Sequence, residues 1–345
     1  MTRIGNLILG ASLALLHPVS GQAAEDSFVC GPVPEPVISL NHGSRYTDES
    51  VSRSDLDEES NAEVNAALGP IDDFIRDLMP IANDVTRGDD AQRAKADCIV
   101  SQLAVWAEAD ALSELSTITA NFSVGARLAG FALAYRQVAP YATNPRDRAT
   151  IEDWLSERIN EQMLFWEEDA TQGAKRGNLR AWATLAVNLV ADITDDPVAL
   201  RWSAWSAAFL QCQAAPDGSL PQEMRRGKYA LHYQLHAIGP LVLTTLLLEQ
   251  QGMSIKGVCD NALDRIVAFA IDDIANDGAA SAAYSGKDQS LFDGTNELDG
   301  FEVAWLEAYL LLNATPEAEA LAADFRPLNN SKLGGNQALL WSVAP

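Results

Sequence analysis

The sequence predicts an all-α fold of paired helices, arranged as an α/α toroid. Three observations carry this. From about Ile71 onward, apolar residues recur at spacings of three and four, the helical period. Breakers fall between the periodic segments at Pro140, Pro145, Gly173, Gly177, Asp195-Asp196-Pro197, Pro216-Asp217-Gly218 and Gly252. No stretch shows the strict alternation of a half-buried strand. The segments read as helices are 70–85, 89–112, 116–139, 147–168, 178–193, 197–214, 223–250, 257–274 and 300–312. Helices joined by short connections pack as antiparallel neighbours, and consecutive pairs of them suggest the toroid. No low-complexity linker divides the chain, so residues 24–345 are expected to form one domain.

The N-terminus reads differently. Arg3 opens it, Leu7 to Leu16 is apolar, and Gly21-Gln22-Ala23 has the small-x-small pattern of a cleavage site. Residues 1–23 are therefore expected to be a secretory signal peptide, which makes the protein periplasmic or secreted. Its apolar run is too short to span a bilayer. Ile238 to Leu248 is apolar but interrupted by Gly, Pro and Thr, so no membrane insertion is expected. Residues 25–60 read as an irregular arm, because the three prolines after Cys30 remove donors and force extended backbone. Within it, Asn41 to Tyr46 is a polar turn carrying Arg45 and Tyr46, and Asp55 to Glu59 is an acidic run expected to be solvated.

Forty-eight acidic against 24 basic residues give a formal charge of −24. Nucleic acid is excluded as a partner, since its binding rests on Lys and Arg. A polyanionic substrate would need a local positive patch to overcome the long-range field. Four cysteines, Cys30, Cys98, Cys212 and Cys259, in an exported chain suggest two disulfides, with three pairings open.

The stretch Pro221 to Pro240 concentrates function-bearing side chains: Arg225, Arg226, Lys228, Tyr229, His232, Tyr233 and His236. At 3.6 residues per turn, Arg226, Tyr229, Tyr233 and His236 share one stripe and Leu231, Leu235 and Ile238 the other side. A front of guanidinium, phenol and imidazole is what an anionic substrate requires; a solvated basic face is the plainer alternative. Pro240 is expected to kink this helix and free the His236 carbonyl. No phosphate loop or Gly-x-Ser-x-Gly elbow is present. His232 and His236 are spaced for a metal, but no third ligand is evident, so no metal or other cofactor is expected. Asp293 to Gly300 has the composition of a calcium loop without its required Gly and Glu. Glu302 and Glu307 are a candidate glycosidase pair in a chain rich in surface carboxylates. Trp182, Trp202, Trp205 and Trp305 are candidate sugar-stacking rings or core.

The 221–240 stretch resembles the alginate lyase family, polysaccharide lyase family five of mannuronate-lyase type. It agrees with that family's motif at Pro221, Glu223, Arg226, Ala230, Leu231, Tyr233, Ala237, Pro240 and Leu241. The family's second motif falls on Gly177-Asn178-Leu179-Arg180-Ala181-Trp182. Cys30 to Pro36, Ser44-Arg45-Tyr46, Cys98 with Trp106-Ala107-Glu108, Trp305 to Tyr309, and Arg326-Pro327-Leu328 with Leu333-Gly334-Gly335 resemble further family patches. Three positions depart: the family's catalytic histidine falls on Leu179, its second motif arginine on Tyr229 and its arm lysine on Arg45. The resemblance implies an incomplete α/α barrel with a long open cleft. It pairs Cys30 with Cys98, which leaves Cys212 with Cys259.

The implied reaction is β-elimination at a 4-linked uronic acid. Asn178 and Arg226 would hold the substrate carboxylate, and Tyr233 would take the C5 proton and return it to O4. A free tyrosine ionises only near pH ~10, so cations beside Tyr233 are expected to assist it. In mannuronate, H5 and O4 lie on one face of the ring, so a single tyrosine serves both steps. Arg45, Tyr46, Tyr229, His232, His236 and Arg180 are the expected substrate contacts, with Arg45 and Tyr46 on a lid tethered only at Cys30. Arg180, His42, His232 or His236 would stand in for the missing imidazole at Leu179. The plainer reading of Asn178 is a helix N-cap after Gly177. The expected partner is an anionic polysaccharide and the expected state a monomer. The alternative function is a non-catalytic relative that binds an anionic exopolysaccharide in the periplasm.

Overall fold

The first helix begins earlier than its apolar period announces. Asp57 accepts the Ser60 backbone N–H at 2.8 Å and caps α1, Glu58–Arg87, with Glu58 and Glu59 in its first turn. The acidic run 55–59 is therefore a helix start, where negative charge meets the positive end of the dipole. Pro70 and Pro80 both lie inside α1. Burial of Val64, Leu68, Ile71, Phe74, Ile75 and Leu78 along one face offsets the donors they remove. The computed structural model describes residues 28–341; the expected signal peptide, 1–23, lies outside the described residues.

Seven further helices follow the expected segments: α2 Gln92–Glu108, α3 Ile118–Val138, α4 Pro145–Glu168, α5 Asn178–Thr194, α6 Pro197–Gln211, α7 Pro221–Met224 and α8 Ala230–Gln250. α9 Val258–Ala275 and α11 Leu306–Leu312 complete that set, the latter six residues shorter than expected at its start. Three short helices escape the periodic reading: α10 Ala279–Ser285, α12 Pro316–Phe325 and α13 Gln337–Trp341. Each buries too few side chains to show a period; α12 buries only Ala318 and Ala322.

α3, α5 and α8 are buried on most faces and form the inner layer. α5 joins them, packing on both α3 and α8, while α4, α6 and α9 pack outside. The segment Gly227–Gln250 is long and apolar enough to cross a membrane, contrary to the sequence reading, but 83% of its apolar window is buried. It is the core helix of the inner layer. α8 continues through Pro240 to Gln250 as one helix, with Leu235, Ile238, Leu241 and Val242 all buried around the proline. Among the described residues, strands are limited to two pairs: β1 Ser39–Leu40 parallel to β2 Glu114–Leu115, and β3 Asn329–Asn330 antiparallel to β4 Gly335–Asn336.

Both disulfides form as the resemblance implied, Cys30–Cys98 and Cys212–Cys259, with Cα separations of 5.5 and 5.4 Å. The N-terminal arm is held along its length, not at Cys30 alone. Trp106 Nε1 donates to the Pro34 carbonyl at 3.1 Å, β1 pairs with β2, and Thr117 and Thr119 hydroxyls donate to the His42 carbonyl. The arm thus runs from the first disulfide across the mouth of the inner layer.

Candidate active site

The turn between α7 and α8 is where the expected single stripe breaks. Residues 221–250 form α7, a 3-10 turn at Gly227–Tyr229 and then α8, so Arg226 and Tyr229 precede the helix that carries Tyr233 and His236. Gly227 makes this possible. Its φ is +55°, and a Cβ there would lie 2.7 Å from Ser54 Oγ of the arm. The four side chains still converge, because the turn folds Arg226 back over α8. Its guanidinium lies 3.7 Å from the centroid of the Tyr233 ring and 5.5 Å from that of Tyr46. Nε and Nη2 of Arg226 donate to the Ser52 and Arg53 carbonyls at 3.2 and 3.1 Å, which pins the arm over the site.

The hydroxyls of Tyr46 and Tyr233 are hydrogen-bonded to each other. Burial and the facing Tyr233 hydroxyl raise Tyr46 well above the ordinary phenol range, so Tyr46 stays neutral and can act as a donor. Arg45 beside it donates to Asn61 Oδ1 at 3.0 Å. Both residues line a cleft of about 440 Å³ together with Tyr229, His232, Tyr233 and His236.

The opposite wall is the N-terminus of α5. Asn178 is not the N-cap: Gly177 holds that position, and the carboxylate of buried Glu223 does the capping. Glu223 Oε1 accepts the Asn178 backbone N–H at 2.7 Å and Oε2 accepts Asn178 Nδ2 at 3.0 Å. Burial raises the Glu223 carboxyl, against the opposing pull of Arg226 and of the Asn178 donors. Leu179 lines the same wall and packs against the buried cluster of Phe165, Trp166, Ala170 and Ala183.

The floor is cationic, and sequence reading missed it. Arg127 on α3 and Lys332, in the turn after β3, both bind Asp72 of α1, at 2.6 and 3.1 Å. Both cations line the cleft. Burial and the neighbouring Arg127 lower Lys332 to about 8. Only the conjunction of Lys332 with the nearby Leu333-Gly334-Gly335 patch could have flagged it. A second cavity of about 740 Å³ shares Lys332, Trp182 and His236 with the first, so the cleft is long. Of the four tryptophans considered, Trp182 walls the cleft, 5.3 Å from the His236 ring, and Trp305 is core.

Three histidines reach the cleft. His42 is buried, bonded through Nε2 to Ser123 Oγ at 3.2 Å, and lowered by desolvation. His236 is lowered further, by burial and then by His232 and the floor cations. His232 Nδ1 binds Glu302 Oε1 at 2.9 Å. Arg180 does not reach it. It is buried behind the wall, bound to Glu167 at 2.7 Å and Ser206 at 2.8 Å, so its place among the substrate contacts and replacement bases is withdrawn. Helical geometry explains this: Arg180 is two positions from Asn178, hence on another face of α5. Glu307 is likewise committed, to Arg326 at 2.8 Å, which removes the glycosidase pair. Among the described residues no cluster of three His, Cys, Asp or Glu has the geometry of a metal site.

The family model described as alginate lyase matches residues 43–280. The chain belongs to this family. A polysaccharide lyase of Stenotrophomonas maltophilia is 29% identical over 335 residues, covering 95% of each chain. An alginate lyase of Pseudomonas syringae pv. tomato is 24% identical over 342 residues, covering 95% of this chain and 88% of that one. Among solved structures, alginate lyase A1-III as a histidine-to-alanine variant complexed with tetrasaccharide aligns with a TM-score of 0.77 at 20% identity. It covers 94% of this chain and 89% of that chain. The same enzyme from Sphingomonas species A1 aligns with a TM-score of 0.73 at 20% identity, over 93% and 90%. The shared fold is the incomplete α/α toroid of this family, and the cleft lies at its open mouth.

Proposed function

We propose that this chain is a lyase that cuts a 4-linked polyuronate of polymannuronate type by β-elimination. The observation that carries the reading is the convergence of Tyr233, the Arg226 guanidinium and Asn178 on one cationic-floored cleft. In an otherwise acidic chain, Arg226 and the Arg127–Lys332 pair, whose two charges share the single carboxylate of Asp72, supply the local positive field that a polyuronate needs. Asn178 and Arg226 hold the carboxylate beside C5 and stabilise the charge that builds there. Tyr233 removes the C5 proton, the C4–O4 bond breaks as the C4–C5 double bond forms, and the same proton passes to O4. Tyr46, a neutral donor to the Tyr233 oxygen, steadies the phenolate while it waits. The two disulfides suit an oxidising compartment outside the cytoplasm, where such a polymer is met.

Leu179 favours the competing reading, a lyase-like protein that binds the polymer without cutting it. It also restricts the first reading. Elimination across opposite faces of a sugar needs a second base, and an apolar side chain offers none. Same-face uronates are therefore the expected substrates. Incubating the protein with polymannuronate, polyguluronate and glucuronate polymers, and following the ultraviolet absorbance of unsaturated ends, separates the readings. Polymannuronate should be cut fastest. Tyr233→Phe should lower turnover by about 10³- to 10⁴-fold with the fold retained. Absorbance that never rises with any polymer, alongside measurable binding, would establish the non-catalytic role. A guluronate preference would move the base to His42, His232 or His236.

A further inference from the structure

We infer that Glu223 is a positioning residue: it fixes the Asn178 amide as a hydrogen-bond donor toward the cleft. The inference rests on the reading of Asn178 as a holder of the substrate carboxylate.

An amide has an oxygen end and a nitrogen end of nearly the same shape, so its orientation is chosen by its partners. Glu223 is fully buried and meets Asn178 twice, at the backbone N–H and at Nδ2. Oε1 accepts the backbone N–H and Oε2 accepts Nδ2, so both carboxyl oxygens take a donor from Asn178 and the nitrogen end of the amide faces them. One Nδ2 hydrogen is then spent on Glu223 and the second remains for a ligand. Asn178 Oδ1 is buried and has no hydrogen-bond partner, which an amide free to choose would avoid. Turned the other way, the amide would present lone pairs to a uronate carboxylate.

Two further contacts tie Glu223 to the site. A Cβ on Gly177 would lie 2.8 Å from Glu223 Oε1, so the carboxylate occupies space that only glycine leaves open. The Arg226 backbone N–H donates to the Glu223 carbonyl at 2.9 Å, so α7 spaces Asn178 against the arginine that covers Tyr233. Burying a carboxylate here costs the fold stability, as its raised proton affinity records. A glutamine of the same shape would cap α5 without that cost.

The test is a double-mutant cycle of Asn178→Ala and Glu223→Gln. Each of the four proteins is measured for kcat/KM on polymannuronate, for Kd of the same polymer, and for Tm. Glu223→Gln keeps the size of the side chain but lets either amide end face Asn178. It should lower kcat/KM by about 10²-fold, the scale of a misplaced contact, with Tm unchanged or higher. On the Asn178→Ala background it should cost nothing more, because the group it positions is gone. Losses that multiply in the double variant, or full activity and affinity in Glu223→Gln beside an impaired Asn178→Ala, would overturn the inference. Full activity and affinity in Asn178→Ala would instead remove the reading beneath it. If Glu223→Gln does not fold, Gly177→Ala takes its place, displacing the carboxylate without deleting it. The same loss, again absorbed by Asn178→Ala, is expected.

Discussion

Arg226 and Arg180 both lie against aromatic rings, but only Arg226 opens on the cleft. Arg180 is enclosed by Trp202, Trp205 and Phe209, with its centre 4.9 to 5.4 Å from the three ring centroids, and Glu167 neutralises it. Arg226 covers Tyr233 and Tyr46, and its described hydrogen bonds go to uncharged carbonyls. The first guanidinium is matched by a carboxylate and spends its charge inside the protein. The second keeps its charge for the cleft. Residue type and proximity in sequence to a motif do not separate the two; the partner does.

Truncation breaks this comparison most directly. Arg226→Ala should lower kcat by about 10²- to 10³-fold, the usual cost of losing one donor to a developing anion. Arg180→Ala should leave kcat and KM of the folded enzyme unchanged and cost about 2–4 kcal/mol of stability through lost buried packing. Steady-state kinetics paired with denaturant melts read both. Equal kinetic losses would mean that the two arginines act as one site.

Leu179→His sharpens it next. An imidazole on the cleft wall, at the position next to Arg180, should raise the rate on polymannuronate by about tenfold, within the span general-base groups contribute. It should also open activity on an opposite-face uronate. No gain on either polymer would show that the wall around Phe165 and Trp166 excludes a productive imidazole.

A smaller effect concerns Lys332, a cleft cation that, unlike Arg226, can lose its charge. With its proton affinity lowered from 10.5 to about 8, it is cationic below pH 8 and neutral above. KM should rise a few-fold between pH 7 and 9, and Lys332→Arg should flatten that rise. Unfolding does not explain such a rise. An unfolded lysine keeps its proton to higher pH, so between about 8 and 10.5 the unfolded state binds more protons and this group favours the fold increasingly. A flat KM in the wild type would remove Lys332 from substrate binding.

Arg45→Ala should have the least effect: KM up a few-fold, with kcat and Tm nearly unchanged, because its guanidinium is half-exposed and solvent screens it. A fall in Tm with an unchanged KM would make Arg45 a tie between the arm and α1 through Asn61, not a substrate contact.

Most of the helical framework was legible in the sequence, because a helix that buries one face must repeat apolar residues every three to four positions. α4 and α9 carry that signal, burying Ile151, Trp154, Leu155 and Ile159 on the one and Leu263, Ile266, Val267 and Ala270 on the other, and their ends differ from expectation by one or two residues; α3 and α5 are apolar on most faces. α1 was half missed because its start is written in a cap and its prolines mislead. Tyr233, Asn178 and Arg226 were legible as a set through motif spacing, which short stretches of chain preserve. Arg127 and Lys332 were not, since each is an isolated charge whose role depends on a partner far along the chain; Glu223 was legible as a motif position, but its pairing with Asn178 was not. Sequence by itself determined the helical class and left three cysteine pairings open; the pairing and the acid–base candidate came from the family resemblance. Only the tertiary structure decided which charges face the cleft. That choice depends on which carboxylate the fold brings to which donor: exposed Glu167 takes Arg180, partly buried Asp72 holds Arg127 and Lys332 at the floor, and buried Glu223 takes Asn178 rather than Arg226.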